Sequence, residues 1–416
     1  MNVKRLLIMM VISLLVVVGT AVAQSRISIV HYFSDTLGQQ TMSELFTTFQ
    51  EAHPDYVAVD NSAGHEDFKT QILVTIAGNN PPDIFSYWAG ARTQFVVDAD
   101  RLLTLEDFWM ENDLDEIIPE GVKAAAIYND EIFLIPMNVH VVGFFYNPRV
   151  LEAAGVTELP TTWDEFIALC DAVLASGVKP IALGSMNRWP AQFWFDYMVS
   201  YTAGADFRQA LMAGEAAYNS PEVVAAMEVW KALVDAGYFV DNANAYDWTD
   251  AANQVANGDA AMTLMGTFIT GYWNGNGLEA GVDYDFFPFP VMNPDLPVVT
   301  HGTVDGWVVP AAAANPDGAK ELLLHFVTPE SQSTWALGQG ALAAVNNVDT
   351  SIYSPVMAKA AEYLGQVQFL SGYDLSTTPP MAEGGLNMFA QFMNDPSNFQ
   401  AYLDETEAMA VDVFGK

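Results

Sequence analysis

PPDIFSYWAGAR, residues 81–92, decides how this chain is read. A double proline introduces a short apolar run, Ile84-Phe85, which ends in two aromatics, Tyr87 and Trp88. Three small residues and Arg92 follow. The pattern predicts a core strand whose C-terminal end delivers an aromatic platform into a cleft.

What precedes it supplies the context. Arg26 to Phe33 alternates like a strand and ends in the turn signal Ser34-Asp35. Met42, Leu45, Phe46 and Phe49 recur at helical spacing, and His53-Pro54-Asp55 ends that helix. Tyr56 to Val59 reads as a second strand. Phe68, Ile72 and Ile76 mark a second helix, closed by Gly78-Asn79-Asn80-Pro81. The βαβαβ order predicts an α/β lobe with a largely parallel sheet. Ligands bind such sheets beyond the carboxyl ends of the strands. Those ends are Tyr32–Asp35, Asn61–His65 and Tyr87–Trp88.

Downstream, residues 131–146 form a long apolar run broken by Pro136, Asn138, His140 and Gly143. That many interruptions are rare in a core strand, so the run is expected to cross between lobes with Asn138 and His140 facing the cleft. A second α/β block follows. Thr162 and Glu165 form a capping box, and the helix they open is expected to end near Ser176. Further helices and strands are expected at 180–183, 223–236 and 254–266. Residues 273–281 read as a loop, and 284–292 as an aromatic strand making a second crossover. Gly302 to Pro310 is strand-like, Asn315-Pro316 caps a helix, and residues 338–345 lead to a third crossover. The tail reads as helical, with interruptions at Pro379-Pro380 and Gly384-Gly385.

The 416 residues suffice for two domains, and 51% hydrophobic against 16% charged residues gives a large core. Residues 1–23 have the form of an export signal: Lys4-Arg5, an apolar stretch from Leu6 to Val18, then Ala21-Val22-Ala23 as a cleavage site. No cysteine near the cut offers a lipid anchor, so release into the periplasm or at the outer face of the cytoplasmic membrane is expected. Cys170 is the one cysteine, and on its helical pattern it reads as a small buried hydrophobe. The net charge of −36 becomes −38 once Lys4 and Arg5 are removed, which disfavours nucleic acid and anionic lipid.

Motifs for nucleophilic, phosphate-binding, metal or disulfide chemistry are absent. The six histidines lack ligand spacing, and His65-Glu66-Asp67 reads as the acidic first turn of a helix. Neither a metal nor a cofactor is expected. The positive signal is aromatic: Tyr87-Trp88, Trp189 with Phe193-Trp194, Tyr246 with Trp248, Phe268, Trp273 and Trp307 fall at strand ends or in loops. A pyranose ring has an apolar C–H face and a rim of hydroxyls, so its cleft needs flat apolar rings beside fixed polar groups. Tyr32, His65 and Gln192 join the candidates as residues at strand ends or helix starts.

The ordered segments PPDIF (81–85), IPMNVHVVGFFYN (135–147) with LEAAGV (151–156), PTTWDEF (160–166), NGDAAMTLMG (257–266) and GTVDGWVVP (302–310) resemble the extracellular solute-binding proteins of ABC sugar importers. The resemblance covers nearly the whole mature chain. It implies a two-lobe periplasmic-binding-protein fold with three interlobe crossovers, type II-like. The implied lobes are 24–139 plus 289–345 and 140–288 plus 346–416. It implies capture of a mono- or oligosaccharide by hinge closure, a monomer, delivery to a transmembrane permease, and no chemistry. Trp88 and Arg92 are similar to cleft residues of maltose-binding relatives, whose intervening acid is replaced here by Gly90-Ala91. His140 and Asp305 resemble residues of glucose-type relatives, and Phe268 stands where a tryptophan is usual. The expected ligand-binding set is therefore Tyr32, His65, Tyr87, Trp88, Arg92, Asn138, His140, Trp189, Gln192, Trp248, Phe268, Asp305 and Trp307. The competing readings are a same-fold receptor for a non-sugar solute such as a polyamine, and a secreted glycosidase using two cleft acids.

Overall fold

The computed structural model describes residues 24–78 and 80–416. The export signal read at 1–23 lies outside the described residues. The chain opens as β1 (Ser25–Val30), α1 (Thr36–Ala52), β2 (Tyr56–Asp60), α2 (His65–Ala77), β3 (Ile84–Trp88) and α3 (Ala91–Asp98). β1 pairs in parallel with both β2 and β3. The periodic apolar residues do the packing: Met42, Leu45, Phe46 and Phe49 of α1 and Phe68, Ile72 and Ile76 of α2 are all buried. Asp35 belongs to the start of α1, where its carboxylate accepts from the Gly38 N–H at 2.9 Å.

After a small hairpin of β4 (Ile127–Tyr128) and β5 (Glu131–Ile132) comes β6 (Ile135–Tyr146), twelve residues long and buried throughout. The remaining strands are β7 (Lys179–Ile181), β8 (Ala260–Gly266), β9 (Asp285–Phe287), β10 (Val299–Val308), β11 (Leu342–Ala343) and β12 (Gln368–Ser371). The main sheet runs β2-β1-β3-β10-β6-β8-β7.

β6 differs from its expected reading. It is one continuous core strand, and it makes the crossing by changing partners. Its first half pairs antiparallel with β10, from Ile135–Trp307 to Val141–Gly302. Its second half pairs with β8, from Val142–Gly266 to Tyr146–Met262. Pro136 is accommodated at a register shift opposite Asp305-Gly306, where a bulge spares the missing N–H. Gly143 is needed because a Cβ there would sit 2.4 Å from the Phe286 ring.

The second crossover also lies elsewhere than expected. Phe289 stacks on Tyr197 (4.1 Å between centroids, planes 7° apart) and packs near Trp163 and Trp194. It therefore stays with the helices of the second block, and the chain returns through β10 instead. The third passage places β11 against residues 138–139 of β6. The loop expected at 273–281 begins only after Gly275, and the interruption expected at Gly384-Gly385 is absent, whereas the one at Pro379-Pro380 marks a helix start. Phe268–Gly275 is helical and buries Trp273, whose Nε1 donates to Ala252 O at 3.2 Å. Pro379–Asn394 is one helix, because the prolines occupy its first turn and Gly385 leaves room for the Tyr373 hydroxyl. The capping box at Thr162/Glu165 and the cap at Asn315 are present, and Cys170 is buried.

Candidate functional site

Where β6 and β10 pass between the two blocks, a cavity of about 480 Å³ opens. That volume is in the range of small-molecule sites. Its first wall hangs on the ends of β1 and β3 and on Asp305 within β10. Tyr32 and Trp88 lie face to face, 4.1 Å between ring centroids and 15° between planes. His65, at the start of α2, sits edge-on to both. Its Nδ1 is 2.9 Å from Glu66 Oε1, and Lys69 also binds Glu66.

Asp305 is the polar centre. It is buried, and it accepts from Tyr32 Oη at 2.7 Å and from Asn138 Nδ2 at 2.7 Å. Trp335 Nε1 donates to Asn138 Oδ1 at 2.7 Å and fixes that amide from behind. Burial pushes the Asp305 carboxyl up to about 6, against the pull of its two donors. The Tyr32 hydroxyl is held well above its ordinary range by burial and by Asp305. His140 Nε2 is 3.5 Å from Asp305, and its Nδ1 is 2.9 Å from Thr267 Oγ1. Burial pushes His140 down to about 3, so the ring is neutral at physiological pH and presents one donor and one acceptor.

The opposite wall is aromatic. Trp248 meets Phe268 edge-on at 5.4 Å and 84°, and Trp189 packs near both. Tyr272, one turn after Phe268, adds an edge contact to Trp248. His65 and Trp189, from opposite walls, are 6.3 Å apart, so the cleft is narrow. Arg92 closes one end: its Nη2 lies 3.2 Å from Asp374 Oδ2, and its guanidinium carbon 5.7 Å from the Trp88 ring centre.

Ten of the expected residues line this one cavity: Tyr32, His65, Trp88, Arg92, His140, Trp189, Gln192, Trp248, Phe268 and Asp305. Three do not. Tyr87 is turned away from it by strand alternation and packs on Phe68 and Phe85. Trp307, two residues beyond Asp305 and deeper in the fold, is fully buried against Phe326 and Phe33. Asn138 has no exposure and acts through Asp305. Sequence reasoning missed Asp247, Tyr272 and Asp374, which also line the cavity. Tyr272 had a signal in its helical spacing from Phe268, and Asp247 in its capping box with Asp250. Asp374 had none, since its partner Arg92 is 282 positions away. Among the described residues no group of three or more metal-ligating side chains occurs, and no helix is long and apolar enough to cross a membrane.

A family model described as bacterial extracellular solute-binding protein matches residues 34–333. An uncharacterized ABC transporter extracellular-binding protein of Pyrococcus horikoshii is 27% identical over 86% of this chain and 79% of its own length. A probable sugar-binding periplasmic protein of Mesorhizobium japonicum is 31% identical over 42% of each chain. Among solved structures, the bacterial solute receptor AcbH, described as having an exclusive preference for β-D-galactopyranose, superposes with a TM-score of 0.86 at 24% identity. It covers 94% of this chain and 99% of its own. A chitin oligosaccharide binding protein superposes with a TM-score of 0.85 at 20% identity, over 94% of this chain and all of its own. At these identities the likeness establishes the two-lobe fold.

Proposed function

The chain belongs to the bacterial extracellular solute-binding proteins, and from that premise we propose that it captures a sugar between its lobes and delivers it to an ABC importer. One observation carries the reading: a narrow cavity with a buried polar centre on one wall and an aromatic box on the other. Asp305, fixed by Tyr32 and Asn138, has lone pairs left for sugar hydroxyls, and neutral His140 adds a donor or an acceptor. Trp248, Trp189 and Phe268 take the apolar C–H face. The relatives described as sugar-binding and the galactose- and chitin-oligosaccharide-binding structures support the class.

The lobes in this reading are residues 24 to about 139 with the end of β10 and the segment to 345, and the remainder. The ligand joins them, so it favours the closed form by its contacts to both. The receptor acts as an exported monomer without catalysis or nucleic-acid binding, and its macromolecular partner is a transmembrane permease. Isothermal calorimetry against a panel of mono-, di- and trisaccharides tests this. Saturable binding of at least one sugar, recovered intact after hours, is expected. Binding of none, or a polyamine out-competing every sugar, would overturn it.

A further inference from the structure

The wall around Arg92 keeps two hydrogen-bond donors that the protein does not use. Arg92 is 6% exposed, lines the cavity and gives Nη2 to Asp374. Among the described residues its Nη1 makes no hydrogen bond and keeps solvent access, whereas Nε is also unpaired but sealed from the cavity. Leaving a buried N–H unpaired costs about as much as a lost hydrogen bond. Beside it, Gln192 Oε1 accepts from the Asp374 backbone N–H at 2.9 Å. A backbone N–H only donates, so this bond fixes which way the amide points. The Gln192 Nε2 group is left as a donor, with no partner among the described residues, and Gln192 lines the same cavity.

Both donors are set by one residue, and that residue is firmly held. Tyr373 N donates to Asp196 Oδ2 at 2.8 Å. Arg208 binds Asp196, Ser371 O and Ser376 Oγ. The short helix Tyr373–Ser376 that carries Asp374 is thereby clamped to the helix Trp189–Ala203 on which Gln192 stands. On the other side, Gly90 (φ 110°) lies so close that a Cβ there would be 2.2 Å from Leu375 O. The turn leading into α3, and with it Arg92, rests directly on this short helix.

We propose that Asp374 is a positioning residue of the ligand site. It aims Arg92 Nη1 and Gln192 Nε2 together at one acceptor-rich edge of the ligand. On a pyranose that edge is the ring oxygen with a neighbouring hydroxyl oxygen. The inference rests on the sugar reading. Arg92 follows β3, whereas Asp374 follows β12, which pairs with the far end of β10. The two-donor pair therefore exists only while the lobes are together, and it links recognition of that edge to closure.

The test uses the full mature chain and a neutral sugar that it binds. Asp374→Asn should weaken binding about tenfold, the scale of one hydrogen bond to a charged group, with partial recovery in Asp374→Glu. The wild type should also prefer the sugar to its carbocyclic analogue, which lacks the ring oxygen, and Asp374→Asn should lose that preference. With 15N-labelled arginine, the Arg92 Nε–H resonance, the reporter of its guanidinium, should shift on saturation of the wild type. Unchanged affinity in a folded Asp374→Asn, or an Nε–H that does not move on saturation, would overturn the proposal. If that variant does not fold, the wild-type Nε–H shift and the analogue comparison decide. Should the wild type bind a non-sugar solute instead, the sugar reading falls, and the Nε–H shift with that solute still decides the role of Asp374.

Discussion

Tyr32 and Trp88 lie face to face at 4.1 Å, whereas across the cavity Trp248 and Phe268 meet edge to face at 5.4 Å. Stacking consumes one face of each ring, and the Arg92 guanidinium lies near the Trp88 ring as well. Trp88 is only 7% exposed, while Trp248 and Phe268 are half-buried. The first wall is a buried polar reader backed by aromatics, and the second is a set of rings with area still to cover. A strand end rich in aromatics marks a site, but in the proposed reading the ring left to take the ligand face is the one its own neighbours leave uncovered.

The largest effect should come from the polar reader. Asp305→Asn turns one of the two oxygens that accept from Tyr32 and Asn138 into an NH2 donor and removes the charge that the proposed ligand hydroxyl would donate to, and should cost about 2–3 kcal/mol of binding, some 30- to 150-fold in Kd by calorimetry. An affinity within threefold of wild type would mean that the reader lies elsewhere. Next comes Trp88. Its truncation to Ala leaves a hole beneath Tyr32, Phe68 and His65, so unfolding in urea should lose about 3 kcal/mol, with affinity reduced as a consequence. A weakened affinity at unchanged stability would instead make Trp88 a free platform.

Acidification separates the walls by about tenfold. The Asp305 carboxyl titrates at about 6 and faces Tyr32, Asn138 and His140, of which His140 stays neutral down to about 3. A hydroxyl donating to Asp305 needs the carboxylate. Affinity should be constant above pH 7 and fall about tenfold by pH 5, and Asp305→Asn should flatten the profile. The effect on the empty protein has the opposite sign. The folded-state value lies above the unfolded 3.8, so protonation of Asp305 favours the folded state as pH drops from 6 towards 4, and the same holds for buried Asp196, also near 6. Buried His140 and His301 act against this, because their folded values lie below the unfolded 6.5 and the unfolded chain takes up those protons as pH falls through 6.5. Melting of Asp305→Asn without ligand should therefore drop more between pH 7 and 5.5 than melting of the wild type, which keeps the compensating uptake at Asp305.

The sequence was legible where one local rule sufficed. The period of α1, the caps at Thr162 and Asn315, and the strand ends at Tyr32 and Trp88 each rest on a few neighbouring residues. It was not legible where packing decides. Nothing local says that Phe289 stacks on Tyr197 and stays behind, or that Trp307 is covered by Phe326 while Asp305, two residues earlier, faces the cavity. β6 was misjudged because polar and proline interruptions look alike whether a strand ends or changes partners. Asp374 was invisible because its meaning comes from Arg92 across the cleft.

The aromatic box supplies the smallest and most specific effect. Trp248 heads the helix Trp248–Asn257 and is half-buried, touching Phe268, Tyr272 and Trp189 by their edges. The cap of that helix belongs to Asp247, which accepts from Thr249 N–H, so removing the indole leaves the helix start intact. Trp248→Ala should therefore leave the urea midpoint of the empty protein within experimental error. It should weaken sugar binding by about 1 kcal/mol, roughly fivefold, because only the C–H contacts of the ligand are lost. Trp248→Phe should restore part of it, and neither variant should alter the pH dependence, which belongs to Asp305 on the other wall. A pH profile that changed with Trp248 would show that the two walls act as one.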